Sequence, residues 1–174
     1  IPSCDPASTT PTVEDVIGHL PPIGAGENHP TITNHRARKL SSLNLKRISS
    51  IEPGKKNSQL EHSPFGDLRL NCHKKGGKNN FSDSYTRMER GKLSPTITTK
   101  FTSITNGRFG HYDMKQNRGL SLKEGMLLQT FPDNYIFYPE TSLCFPAILI
   151  GNAVPPKIAK FFGSYIVNSL TPTL

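Results

Sequence analysis

The sequence predicts an irregular, loop-rich α+β fold, on three observations. Only 34% of the 174 residues are hydrophobic, while Gly and Pro number 14 and 15, a composition that favours turns over long regular elements. A single stretch, Pro95 to Phe101, is dense in β-branched residues, whereas several others place a capping residue ahead of apolar side chains at helical spacing. The last of these, after Pro155-Pro156, carries a broad apolar face for which the rest of the chain offers few partner strands.

The elements follow in order. Thr12-Val13-Glu14-Asp15 has the form of a capping box, and Val13, Val16, Ile17 and Leu20 then make one apolar stripe that Pro21-Pro22 ends. Pro21 to Pro30 is a loop by composition. Leu40, Leu43, Leu45, Ile48 and Ile51 recur with helical spacing and predict a helix within Ala37 to Ile51. Pro53 to Asn57 and Asn71 to Asn80 are turn-rich basic loops. Pro95-Thr96-Ile97-Thr98-Thr99-Lys100-Phe101 alternates polar with apolar and predicts a strand. Asn106-Gly107 and Phe109-Gly110 supply turns after it. Ser121-Leu122-Lys123-Glu124 is a second capping box, opening a short helix that stops before Phe131-Pro132, and Tyr135 to Tyr138 is strand-like. In the terminal helix Ile158, Phe161, Phe162, Tyr165, Ile166 and Leu170 recur at spacings of three and four. Burying such side chains stabilises by roughly 1.5 to 3 kcal/mol each where a partner surface exists. That helix therefore predicts a core partner outside these residues.

Cysteine and charge narrow the function. Cys4, Cys72 and Cys144 cannot all pair and lack Cys-x-x-Cys spacing, which argues against a disulfide framework and a zinc ribbon and for a reducing cytoplasm. No metal site is expected. The longest apolar run, Phe145 to Ile150, is interrupted by Pro146 and falls far short of the roughly 20 residues that cross a bilayer. The chain opens with Ile1 and has no basic-then-apolar leader, which reads as a fragment or processed product. The net charge of +8 is concentrated: residues 35–118 hold 18 basic and six acidic side chains, whereas 1–34 hold four acids and no Lys or Arg, and 119–174 hold three of each. Such a basic middle suits a polyanion, because each phosphate neutralised releases condensed counterions.

Two stretches then decide the reading. Arg118-Gly119-Leu120-Ser121-Leu122-Lys123-Glu124, followed by Gln129-Thr130-Phe131-Pro132-Asp133, resembles the ninth motif of the cytosine-5 DNA methyltransferases, usually Arg-x-Leu-Thr-x-Arg-Glu followed by Gln-Gly-Phe-Pro-Asp. Ile150-Gly151-Asn152-Ala153-Val154-Pro155-Pro156 is similar to their tenth motif. Thr12 to Ile17 with Leu20-Pro21 resembles the segment after the eighth motif, and Ser94 to Thr98 with Gly107-Arg108 the end of the target-recognition region. Lys123 and Leu127 stand where that family usually has Arg.

The resemblance implies an α/β, Rossmann-like, S-adenosylmethionine-dependent methyltransferase overall, of which this chain would be the C-terminal portion. Residues 1–34 would end a catalytic-domain segment, 35–118 form the DNA target-recognition domain, and 119–174 close the structure. It implies cofactor contacts at Gly151, Asn152, Ala153 and Val154, and DNA contacts at Thr96, Ile97 and Thr98. Arg87, Arg90, Arg108, Lys74 and Lys75 are further candidate DNA contacts, and Arg118 with Glu124 would hold the motif together. In that family a cysteine thiolate attacks a flipped-out cytosine. That residue belongs to a Pro-Cys-Gln loop, and Pro2-Ser3-Cys4-Asp5 does not reproduce it, so no catalytic residue is expected in this chain. The implied partners are duplex DNA and a separate catalytic half or subunit, with no membrane, in a bacterial, nucleoid-associated setting. A small subunit of a split enzyme, a non-catalytic DNA-binding remnant and a transfer-RNA methyltransferase relative stay open as alternatives.

Overall fold

The computed structural model describes residues 10–74, 82–138 and 142–170. Six α-helices are joined by long irregular segments: α1 Val13–Ile17, α2 Ser42–Ser49, α3 Asn71–Lys74, α4 Leu122–Leu128, α5 Cys144–Asn152 and α6 Pro156–Leu170. Short 3-10 turns occupy Asn57–His62 and Ile104–Asn106. None of these helices is long and apolar enough to cross a membrane.

Helix starts follow local chemistry. Thr12 and Ser121 each accept from the backbone N–H three residues on, and Asp15 and Glu124 reach back to the cap N–H, so both expected capping boxes form. Ser41 caps α2 through the N–H of Asn44, and the helix begins there rather than at Ala37. The Ala37 N–H is already committed to the carbonyl of Glu27, which holds the chain ahead of Ser41 in an extended loop.

The two expected strands do not form. Among the described residues the only β pairing is a set of isolated bridges, Asn28 with Arg36, Pro53 with Arg87, Arg87 with Gly110 and Gly110 with Gly119. Within Pro95–Phe101 the alternation is real, since Ile97 is 4% exposed and Phe101 fully buried. The segment turns back at Thr98, whose carbonyl accepts from Phe101 N–H at 3.2 Å, and meets a helix end rather than a second strand. At Tyr135 to Tyr138 only Phe137 is buried. Its N–H donates to Asn34 Oδ1 and its carbonyl accepts from Asn34 Nδ2, so one side-chain amide takes the place of a ladder.

Helix α5 was not legible in the sequence because of Pro146. That proline is the third helical residue, where its missing N–H has no intrahelical partner to lose. The main core joins α1, α4 and α5 to the intervening segments: Val13, Ile17, Met88, Ile97, Phe101, Leu120, Leu122, Met126 and Ile150 pack together. A smaller cluster, Ile48, Ile51, Leu60, Tyr85 and Ile104, lies beneath α2. Helix α6 contributes to neither and has no buried residue, as its unpartnered apolar face predicts.

Candidate functional site

Arg118 and Glu124 are the most buried ion pair described. The guanidinium donates to both carboxylate oxygens at 2.7 and 2.6 Å, with side chains 0% and 1% exposed. Glu124 also accepts from its cap Ser121 N–H, while Arg118 donates to the carbonyls of Ile23 and Gly119. The pair thus ties the loop after α1 to the first turn of α4. Burial pushes the Glu124 carboxyl up, but the Arg118 hydrogen bonds and charge outweigh it and hold its pKa at about 2. His111 Nε2 lies 3.5 Å from Glu124. Burial depresses that imidazole to about 4, so it is neutral at physiological pH and Arg118 alone balances the carboxylate.

The segment after α4 then grips the end of α5. Gln129 Nε2 donates to the carbonyls of Ile150 and Ala153, each at 3.1 Å, adding a second donor to Ile150, which also accepts from the Ala153 N–H, and one to Ala153 at the helix end. Thr130 has a φ of 66°, a left-handed conformation that suits the glycine usual at this place in the resembled motif and strains a β-branched residue. Its hydroxyl accepts from Lys157 N–H at 3.1 Å, in the first turn of α6. The threonine exchanges backbone ease for a link to the last helix.

Gly151 makes no tight turn of its own. It lies in the final turn of α5, and a Cβ there would sit 2.3 Å from Thr99 N and 2.4 Å from the Thr98 carbonyl carbon. Glycine is required for close approach of α5 to the Thr98–Thr99 backbone. Beyond it Asn152 and Val154 stand exposed, Val154 at 65%, with Ala153 half-buried. Asn152 thus presents an amide, and Val154 an apolar group, at the surface.

The expected DNA contacts separate by environment. Thr96 and Thr98 are exposed on either side of buried Ile97, which anchors the stretch in the core. Arg90 is exposed, paired with Glu14 at 3.2 Å and stacked over Tyr112. Arg108 is paired with Asp83 at 3.1 Å, and Lys74 with Asp67 at 3.2 Å. Lys75 and Cys4 lie outside the described residues. Arg87 is a correction: it is 0% exposed and donates to the carbonyls of Ile48, Ile51, His111, Asp113 and Gln116 and to Asn117 Oδ1. Burial lowers its pKa to about 10, which still leaves it charged, but its donors are committed to protein oxygens and none faces a phosphate. Gln129 and Thr130 enter the sequence reading only as part of the ninth-motif resemblance; that they join the two motif stretches was not legible there, because nothing local shows which carbonyls a side-chain amide will meet.

The family model for C-5 cytosine-specific DNA methylases matches residues 6–168. Type II methylase M.HgiDII of Herpetosiphon aurantiacus is 39% identical over 161 residues, 91% of this chain and 44% of the relative. Type II methyltransferase M1.HphI of Haemophilus parahaemolyticus is 31% identical over 163 residues, 92% of this chain and 37% of the relative. DNA (cytosine-5)-methyltransferase 3 of Arabidopsis thaliana is 29% identical over 181 residues, 91% of this chain and 12% of the relative. The chain thus spans less than half the length of each of these relatives.

Proposed function

The chain belongs to the C-5 cytosine-specific DNA methylase family, and from that premise we propose that it is the C-terminal, DNA-recognising part of a DNA (cytosine-5-)-methyltransferase. Residues 35–118 form its target-recognition region, 119–174 close an α/β, Rossmann-like catalytic domain, and 1–34 end a segment of that domain. The observation that carries this reading is the meeting of three stretches far apart in sequence: Gly151 packs on Thr98–Thr99, Gln129 holds the carbonyls of Ile150 and Ala153, and Thr130 caps α6. The DNA-facing edge and the cofactor-facing helix end are thereby fixed to each other.

S-adenosylmethionine, when bound, supplies the methyl group that is transferred to C5 of cytosine. Asn152 and Val154, with the backbone of Gly151 and Ala153, border it on one side. Thr96 and Thr98 approach the duplex backbone, Ile97 sets their height by anchoring in the core, and Arg90 and Arg108 add charge that counterion release converts into affinity. Arg118 and Glu124 touch no reactant and act by holding the loop before the recognition region against α4. The nucleophile and the opposite cofactor wall come from a catalytic half that packs on the exposed face of α6. The type II methylase names of the relatives support a restriction-modification setting.

With labelled cofactor and duplex DNA, the 174-residue chain alone is expected to transfer no methyl groups, and addition of a catalytic half carrying the Pro-Cys-Gln loop is expected to restore transfer. Transfer by the chain unaided would overturn this reading. The exposure of α6 equally favours a second form of it, in which the catalytic half is a separate subunit. Co-purification of the two as independent chains distinguishes that form. A non-catalytic DNA-binding remnant would bind duplex normally yet restore no activity, and preferential binding of RNA would favour a transfer-RNA methyltransferase relative.

A further inference from the structure

A cleft of about 320 Å³ opens between the loop after Ile97 and the N-terminal half of α5. Two cations from distant parts of the chain line it, Arg38 and Lys100, with Thr99 and Asn106 beside them and Cys144 and Ile148 on the α5 side. No acidic side chain is among the described residues lining it. Arg90, Arg108 and Lys74 each have a carboxylate partner, whereas Arg38 and Lys100 have none among the described residues. Arg38 Nη2 lies 3.2 Å from Cys144 Sγ, and its Nε is buried with no hydrogen-bond partner among the described residues. A guanidinium with no carboxylate partner beside a second unpaired cation favours an anion that can accept from it. Helix α5 starts at Cys144, and the Ser142 hydroxyl accepts from its Phe145 N–H at 3.3 Å, so its first turn is already capped and Arg38 and Lys100 are the positive groups of the cleft among the described residues.

Size and position indicate which anion. At roughly 30 Å³ per water the cleft corresponds to about ten waters, room for a phosphate with its attached sugar and not a bare ion alone. Thr99 lines the cleft and directly follows exposed Thr98, so a strand passing Thr96 and Thr98 would run into it. We propose that this cleft receives a backbone phosphate of duplex DNA beside the Thr96–Thr98 edge, with Arg38 and Lys100 as its cationic contacts. The proposal rests on the DNA-recognising role argued above. Because the contact is to backbone, it adds affinity without choosing sequence.

Two measurements on the whole chain test it. In duplex binding followed by fluorescence anisotropy across a salt series, Lys100→Gln is expected to lower the slope of log affinity against log salt by about one, and Arg38→Gln with Lys100→Gln by about two, equally for unrelated sequences. Lys55→Gln with Lys56→Gln, on an exposed turn elsewhere, is the control. The second needs no variant: duplex DNA is expected to slow alkylation of Cys144 at least about fivefold, as a bound phosphate takes up the guanidinium beside the thiol, and to leave Cys72, also exposed, unchanged. An unaltered slope in the folded double variant, or an unprotected Cys144 on a duplex-saturated chain, overturns the cleft and leaves the DNA-recognising role standing. Protection by a deoxynucleoside monophosphate but not by duplex overturns it in favour of a free nucleotide. A chain that binds no duplex at all sinks both.

Discussion

Arg87 and His111 show how little a residue's type reveals of its task. Arg87 stands in a basic segment and reads as a phosphate contact, yet its planar fork gathers carbonyls from the end of α2 and from residues 111–116. A lysine places one compact charge where five directed donors are used. Arg87→Lys is therefore expected to destabilise the fold by about 3 kcal/mol or more, because carbonyls and a buried charge lose their partners. A denaturant midpoint unchanged from wild type would show that the hub is dispensable. His111 sets an acid sensitivity. Unfolded, it takes up a proton as pH falls through 6.5, but in the folded chain burial delays this to about 4. Stability is expected to decline across that window, by up to about 3 kcal/mol. His111→Asn keeps an acceptor for the Asp113 N–H that Nδ1 now binds, and is expected to flatten most of the decline in unfolding measured from pH 7 to 4. The remainder belongs to His35 and His73, which burial also lowers. Glu124 adds its own loss only at lower pH, from 4.5 toward 2, where its depressed carboxyl is finally protonated.

Among the elements, those with local causes were legible in the sequence and those needing a distant partner were not. Both capping boxes close within four residues and form where their residue pattern puts them. Pro95–Phe101 and Tyr135–Tyr138 have strand-like composition, but a strand exists only when a second one supplies its hydrogen bonds, and here an α5 end and an Asn34 side chain take that place. The contact of α5 with Thr98–Thr99 depends on one missing methyl. Gly151→Ala is expected to push α5 away from that backbone and cost about 1–3 kcal/mol in stability, since backbone cannot yield as a flexible side chain does. In the reconstituted enzyme the same change is expected to impair DNA and cofactor use together. A variant as stable as wild type would mean that α5 does not depend on this approach.

At the scale of the whole molecule, apolar surface is unevenly covered. Phe161, Phe162, Tyr165 and Ile166 on α6 and Phe145, Ile148 and Leu149 on α5 are all more than 40% exposed, while the core around α1 and α4 is closed. A fold rarely leaves so many large apolar side chains of two helices in water without a use for them. Phe161→Ser with Ile166→Ser is accordingly expected to change the unfolding free energy by less than about 0.5 kcal/mol, since neither side chain is buried within the described residues. It should also reduce binding of a hydrophobic dye and block restoration of methyl transfer. A large fall in stability would place α6 in the core after all.

The sequence by itself determined the family, through two motif stretches whose order and spacing are properties of the chain. It also determined the capped helix starts, the amphipathic terminal helix and the concentration of positive charge in residues 35–118. Tertiary structure alone decided that Arg87 is interior, that Gly151 serves close packing and not a turn, that Gln129 and Thr130 join the two motifs, and that Arg38 and Lys100, 62 positions apart, share one cleft. Caps and amphipathic periodicity arise from neighbours a few bonds away and can be read along the chain. Burial, ion pairing and cleft geometry depend on which distant segments meet, and spacing does not encode that.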